Sequence, residues 1–250
     1  MRPVIGFLTD FGTTDHYVGV IKAAIAGIAP NALVVDISHA VPPQSVLAGQ
    51  RLLRASVPYF PPGSILLAVV DPGVGSSRRP MALRSGGCIF VGPDNGLFTP
   101  WLPGEAAVEL TSSEFRLPQT SATFHGRDVF APAAAHLAAG VPIDHLGPAL
   151  TDAVLLQPPR PETREDGTIV GEVVHVDRFG NLITNIANVR GGAALFRGRE
   201  LPALSTYGMA GPGDLLALFG SEGELEIAVR DGSAAAALGA GVGEPVVWRQ

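Results

Sequence analysis

Across its first 70 residues the chain alternates three apolar runs with two helix-like segments, and this order restricts the fold more than any other feature. Residues 4–8, 33–37 and 64–70 are almost continuously apolar. Between them, residues 17–29 place Ile21, Ile25 and Ile28 at i, i+4 and i+7. Residues 45–59 place Val46, Leu47, Leu52 and Leu53 on one helical side. A strand that is apolar on both sides needs cover on both sides. The pattern therefore predicts an α/β fold: an amino-terminal, mainly parallel sheet flanked by helices. Residues 88–91 and 107–110 read as further strands, and residues 129–139 as an Ala-rich helix ended by Gly140. With 46% hydrophobic and only 16% charged residues, the chain can fill such a core and has little material for long disordered stretches.

The pattern changes at Gln157-Pro-Pro-Arg-Pro-Glu-Thr-Arg-Glu-Asp-Gly167, which has no apolar period and reads as a linker. Beyond it, residues 168–176, 182–186, 215–219, 224–229 and 245–248 are short strand-like runs between Gly-rich turns. They predict a smaller carboxyl-terminal antiparallel β domain, a barrel or a sandwich. The expected division is an α/β catalytic domain over residues 1–157, a linker over 158–167 and a β domain over 168–250.

A net charge of −6 with no basic run argues against nucleic acid as a partner. The single cysteine, Cys88, allows no intrachain disulfide and no cysteine zinc site, and its apolar neighbours mark it as a core residue. No run approaches the ~18 apolar residues of a membrane span, and Asp10 interrupts the first apolar stretch. The expectation is a cytoplasmic protein without membrane contact.

Polar clusters follow the ends of the predicted strands, where open α/β sheets bind ligands. They are Thr9-Asp10-Phe-Gly-Thr-Thr-Asp15, Asp36-Ile-Ser-His39 and Asp71-Pro-Gly-Val-Gly-Ser-Ser-Arg78, with Thr123-Phe-His-Gly-Arg-Asp128 before the Ala-rich helix. Each also has a structural explanation. Asp10, Asp15 or Asp128 would serve as helix caps, Asp71-Pro-Gly as a turn, His39 as a structural histidine and Arg79 as a solvated charge. Lys22, the only lysine, sits mid-helix, which disfavours a phosphate loop or Schiff-base chemistry. Nucleophile-elbow and HExxH motifs are absent. In the second half, Asp177-Arg-Phe-Gly-Asn-Leu-Ile-Thr-Asn185 combines a carboxylate, amides and a ring. That set suits a polar heterocycle, or equally a Gly-Asn hairpin turn.

Seven segments resemble the S-adenosyl-L-methionine (SAM) hydrolases, or SAM hydroxide adenosyltransferases, relatives of fluorinase and chlorinase. They are Phe7-Leu-Thr-Asp-Phe-Gly-Thr-Thr-Asp15, Val35-Asp-Ile-Ser-His39, Val70-Asp-Pro-Gly-Val-Gly75, Gly92-Pro-Asp-Asn-Gly96, Phe124-His-Gly-Arg-Asp128, the 177–185 segment and Ile227-Ala-Val229, in family order. The resemblance implies hydrolysis of SAM to adenosine and L-methionine, with no metal and no cofactor. It implies a homotrimer whose sites join the first domain of one subunit to the second domain of its neighbour. The family's catalytic residues fall on Asp71, Arg78 and His125. Asp10 matches the ribose-binding position, Asp15 and Asp177 match groups near the methionine, and Phe179 and Asn181 match adenine contacts. Phe124 belongs to the same substrate-binding set, and Ser221, Glu222 and Val229 occupy the later contact region. Arg230 departs from an expected asparagine, and Gly126 replaces a serine of the fluorinases. Only Arg84-Ser-Gly-Gly87 occupies the region where fluorinases carry an extra loop. A carboxylate at Asp71 disfavours a halide nucleophile by repulsion. A SAM-dependent halogenase, a metal-dependent hydrolase using His39, His125 and the nearby aspartates, and a non-catalytic adenosine or SAM sensor are the competing readings.

Overall fold

The computed structural model describes residues 2–187, 189 and 191–249. The chain divides into two compact units, Met1–Gln157 and Pro158–Gln250.

The first unit is an α/β layer structure. Its elements are β1 (Val4–Thr9), α1 (Tyr17–Ile28), β2 (Leu33–Ser38), α2 (Val46–Ser56), β3 (Ile65–Val69), β4 (Pro80–Ser85), β5 (Cys88–Pro93), β6 (Ala106–Glu109) and α3 (Ala131–Ala138). The sheet order is β2-β1-β3-β5-β4-β6. The first four strands run parallel, and β4 is antiparallel to both β5 and β6. The apolar character of β3 is explained by its two faces. Ile65, Leu67 and Val69 enter one core with Ile21 and Ile25 of α1 and the alanines of α3. Leu66, Ala68 and Val70 enter the other with Leu53 of α2.

Several local expectations change. Strand β4 was not foreseen as an element, because Arg84 interrupts its apolar pattern. It is joined to β5 through Gly86 and Gly87, at φ +57° and +78°, which form the two-residue hairpin turn between paired Ser85 and Cys88. The segment expected as one helix over 45–59 is α-helical only to Ser56; Val57–Tyr59, with Pro58 near its start, is a 3-10 turn. Leu47 lies on the exposed side of α2. The helix expected over 129–139 starts at Ala131, after a π-helical turn, Gly126–Phe130.

The second unit contains β7 (Glu162–Thr163), β8 (Ile169–Val176), β9 (Leu182–Ala187), β10 (Ala193–Phe196), β11 (Arg199–Leu204), β12 (Leu215–Phe219), β13 (Glu224–Val229), α4 (Ala234–Leu238) and β14 (Pro245–Arg249). Pairing of β14 with β8 closes strands β8–β14 into a seven-stranded barrel around Val173, Phe196, Ile227 and Trp248. Closure leaves fewer open edges than a sandwich. The barrel is not wholly antiparallel, because β11 and β12 pair in parallel. The proline-rich segment carries β7, which pairs with the start of β8. Among the described residues, no helix is long and apolar enough to cross a membrane.

Candidate active site

Strand β1 has β2 on one side and β3 on the other, so the space between β1 and β3 is a topological switch point. Thr9 and Val69 are register partners there. Asp10 and the 71–78 loop therefore leave the sheet from neighbouring strand ends.

The loop is built from short-range contacts. Ser76 Oγ donates to the Gly73 carbonyl (2.6 Å) and accepts from the Arg78 N–H (3.2 Å). Gly75 has φ +78°, and a Cβ there would lie 2.7 Å from the Ala122 carbonyl oxygen. Only glycine lets this loop pass so close to the segment leading to His125. Asn95 donates to the Val70 carbonyl (2.9 Å) and so anchors the chain just before Asp71. The Gly92–Gly96 motif thus has a supporting job that its sequence did not disclose.

Three sequence-predicted residues meet here. Arg78 Nε and Nη2 donate to the two oxygens of Asp71 at 3.0 and 2.5 Å. The same Nη2 lies 3.1 Å from Nδ1 of His125. The Asp71 and Arg78 side chains are each 6% exposed, so this fork-like pair is strongly desolvated. The guanidinium also lies over the Phe130 ring, 5.2 Å from its centroid, a contact that sequence reasoning missed. Burial pushes the Asp71 carboxyl above its ordinary range, against the pull of Arg78. Burial, and then the Arg78 cation, push the His125 imidazole below its ordinary value. Arginine only donates, so a neutral His125 accepts through Nδ1 and carries its proton on Nε2. Arg78 Nη1 is buried and makes no hydrogen bond to any described residue. It is a cationic donor left over for an oxygen ligand.

The neighbouring arginine behaves differently from expectation. Arg79 is not a solvated charge. It forks onto the buried Asp94 (3.0 and 2.7 Å) and reaches Asp152 Oδ1 (2.7 Å). Arg78 turns to the triad and Arg79 to Asp94, and Asp94 also accepts from the Val154 N–H.

Neither Asp10 nor Asp15 caps α1. Its N-cap is His16, without a side-chain cap bond. Asp10 Oδ2 accepts the Gln44 N–H (2.8 Å), and Gln44 has φ +66°. Asp15 is exposed. His39 is built into the fold: its Nδ1 lies 2.9 Å from Thr9 Oγ1, and its ring meets Phe7 edge-on. Phe124 packs edge-on with Phe11 and Tyr17. Asp128 is not an N-cap; it lies buried inside the π-helical turn. Among the described residues, no three His, Cys, Asp or Glu side chains gather as a metal-ligand set.

In the second unit, Asp177 makes the Asx-type turn. Oδ1 accepts from the N–H groups of Phe179 (2.9 Å) and Asn181 (2.8 Å), and Oδ2 from the Asn181 amide (2.9 Å). Gly180, at φ +82°, presses against Ser233, the N-cap of α4. With the turn satisfied internally, the Phe179 ring is left 76% exposed. Ser221 and Glu222 lie in the exposed turn between β12 and β13, and Val229 is half-buried at the end of β13. Arg230 donates to the carbonyls of Gly208 and Ala210, so it clamps a neighbouring turn. There Tyr207 donates to Glu226 (2.6 Å), a pair that sequence reasoning missed.

Residues 5–147 match the SAM hydroxide adenosyltransferase N-terminal domain, and residues 171–247 match the corresponding C-terminal domain. An (R)-S-adenosyl-L-methionine hydrolase of Thermus thermophilus is 47% identical, covering 98% of this chain and 99% of that protein. A hydrolase of the same name from Salinispora tropica is 41% identical over 97% of this chain and 96% of its own. A fluorinase of an Actinoplanes species is more distant, 30% identical over 74% of this chain and 72% of the fluorinase. A crystal structure of an uncharacterized conserved protein from Thermotoga maritima superposes with a TM-score of 0.90 at 36% identity, covering 98% of this chain and 100% of the other. The chain belongs to the SAM hydroxide adenosyltransferase family.

Proposed function

We propose that this protein hydrolyses SAM to adenosine and L-methionine by attack of an activated water at C5′ of the ribose. The observation that carries the reading is the buried Arg78 guanidinium. Asp71 and His125 hold it, and Nη1 is left as an unpaired donor. Such a donor suits an oxygen that gains negative charge in the transition state.

The bond changes follow from the substrate. Water oxygen bonds to C5′, the C5′–S bond breaks, and its electron pair returns to sulfur. Methionine leaves as a neutral thioether, so no acid is needed for the leaving group. One proton is released per turnover. Water is a weak nucleophile with a pKa of about 15.7, so the site must stabilise hydroxide character. Arg78 Nη1 and the Nε2–H of His125 are the donors for that oxygen. His125 Nδ1 already accepts from Arg78, so Asp71 is the acceptor left in the triad for the water proton. Its burial-raised proton affinity suits that role. A carboxylate in this position also favours water over halide.

In this reading Asp10 binds the ribose hydroxyls, Asp15 and Asp177 bind the methionine portion, and Phe124, Phe179 and Asn181 surround the nucleoside. Ser221, Glu222 and Val229 complete the contacts. The exposed Phe179 ring supports stacking on the base. The two sets of residues belong to different subunits of a homotrimer, as the family resemblance implies. SAM is the substrate, no cofactor or metal takes part, and the setting is cytoplasmic, in keeping with one buried thiol and no intrachain disulfide.

The test is mass spectrometry of products formed from SAM in oxygen-18 water, with fluoride and chloride present. Label in the 5′-hydroxyl of adenosine is expected. A halogenated nucleoside, or adenosine without label, would reject the reading, as would SAM binding without methionine release.

A further inference from the structure

The turn that carries His125 is not α-helical. Gly126–Phe130 is a π-helical turn, closed by the Ala131 N–H donating to the Gly126 carbonyl. Such turns are rare and occur often at functional sites. This one has a definite geometric consequence. In an α-helix, residues five apart point about 140° away from each other. The wider i to i+5 closure of a π-helical turn removes most of that angle. His125 and Phe130 are five apart, and both lie against one guanidinium. His125 Nδ1 is 3.1 Å from Arg78 Nη2, and the Phe130 centroid is 5.2 Å from the guanidinium carbon. Their rings sit 6.5 Å apart. A regular helix would turn one of the two away from Arg78.

Asp128 braces this turn from within. It is fully buried. Its Oδ1 accepts from Arg127 Nε (2.6 Å), and its Oδ2 from Arg127 Nη2 (3.0 Å) and the Ser121 N–H (2.8 Å). Its backbone carbonyl accepts the Leu117 N–H (2.9 Å). These contacts tie the 117–121 strap, which precedes His125, to the turn that follows it. Arg127 is in turn laid over the Phe124 ring, 5.0 Å from its centroid.

We propose that Asp128 is a positioning residue for the reaction: it locks the π-helical turn that presents His125 and Phe130 together to Arg78. The inference rests on the reading of Arg78 and His125 as the reaction centre. A double-mutant cycle read as kcat and KM for SAM tests it. A misplacement of about 1 Å costs up to ~100-fold in rate, so Asp128→Asn should lower kcat about 10- to 100-fold. KM should stay within about twofold of the parent value, on the same differential-binding logic. In a His125→Ala background, the same substitution should cost much less, because the group it positions is gone. Losses that multiply fully, or kcat and KM that move together, would overturn the proposal. If Asp128→Asn does not fold, Arg127→Gln removes the fork from the half-exposed side. It should lower kcat alone by about 3- to 10-fold, and an unchanged kcat there overturns the proposal. Parent protein that forms no adenosine would overturn the functional reading and this inference with it. Parent turnover with full kcat in a folded Asp128→Asn variant overturns this inference alone.

Discussion

The 71–78 loop and the 177–181 turn both combine a carboxylate and an arginine with at least one glycine, yet they are organised in opposite ways. In the first, Asp71 spends its oxygens on a distant cation, Arg78, and the pair is buried with His125 and Phe130 around it. In the second, Asp177 spends its oxygens on its own turn, at Phe179 and Asn181, and pushes the Phe179 ring outward. A desolvated ion pair held by tertiary contacts is preorganised for charge development, whereas a self-satisfied turn is preorganised as a rigid platform for binding. Under the proposed function, chemistry falls to the first region and grip to the second.

The largest expected effect comes from breaking the buried set. Arg78→Ala should lower kcat about 10²–10³-fold or more, because it removes the donors that the proposed mechanism aims at the nucleophile. Asp71→Ala should do comparable damage by leaving a buried guanidinium unpaired. Steady-state kinetics beside adenosine binding checks both, since adenosine affinity should change far less than turnover. Near-normal turnover in both variants would dissolve the contrast.

Phe179→Ala is the converse experiment. Loss of stacking on a base is worth about 1–3 kcal/mol, so KM and the adenosine Kd should rise about 5- to 150-fold while kcat changes little. A kcat loss at constant KM would place Phe179 on the chemical side.

A pH profile sharpens the first region. Both Asp71 and His125 must be unprotonated to hold the network. A proton on Nδ1 of His125 would displace the Arg78 donor and set two cations together. Turnover should therefore be retained at higher pH and lost as pH falls. Two groups shape that acid limb: His125, which burial and Arg78 shift down from the ordinary imidazole value, and Asp71, which burial shifts up from the ordinary carboxylate value. Turnover that rises as the pH falls would contradict this protonation pattern.

The smallest expected effect separates the two glycines. Gly75→Ala meets both a positive φ and the Ala122 carbonyl, so it should lower kcat about tenfold through the Arg78–His125 alignment. Gly180→Ala meets Ser233 instead and should raise KM several-fold with kcat kept. Equal effects on kcat and KM in both variants would mean the glycines serve stability only.

Much of this architecture was legible in local pattern. Buried parallel strands announce themselves as apolar runs, and the strand ends mark the ligand edge, which is why Asp10, Asp71 and Arg78 stood out. The 177–181 turn was readable because its hydrogen bonds are made within five residues. Strands β10 and β11 were not, since four and six residues with little alternation depend on neighbours far along the chain. The parallel pairing of β11 with β12 and the closure of β14 on β8 are likewise non-local.

The sequence by itself determined the α/β-then-β order, the polar residues at the strand ends and the motif order that marks the family. Tertiary structure decided which of two adjacent arginines serves the site. Arg78 meets Asp71 and His125, while Arg79 meets Asp94 and Asp152, contacts made with residues far along the chain. It also decided that Asp128 is an internal brace and not a cap, and that Phe130 lies under the guanidinium. Those outcomes depend on a π-helical turn, whose one extra residue per turn is selected by packing and buried hydrogen bonds that no local propensity encodes.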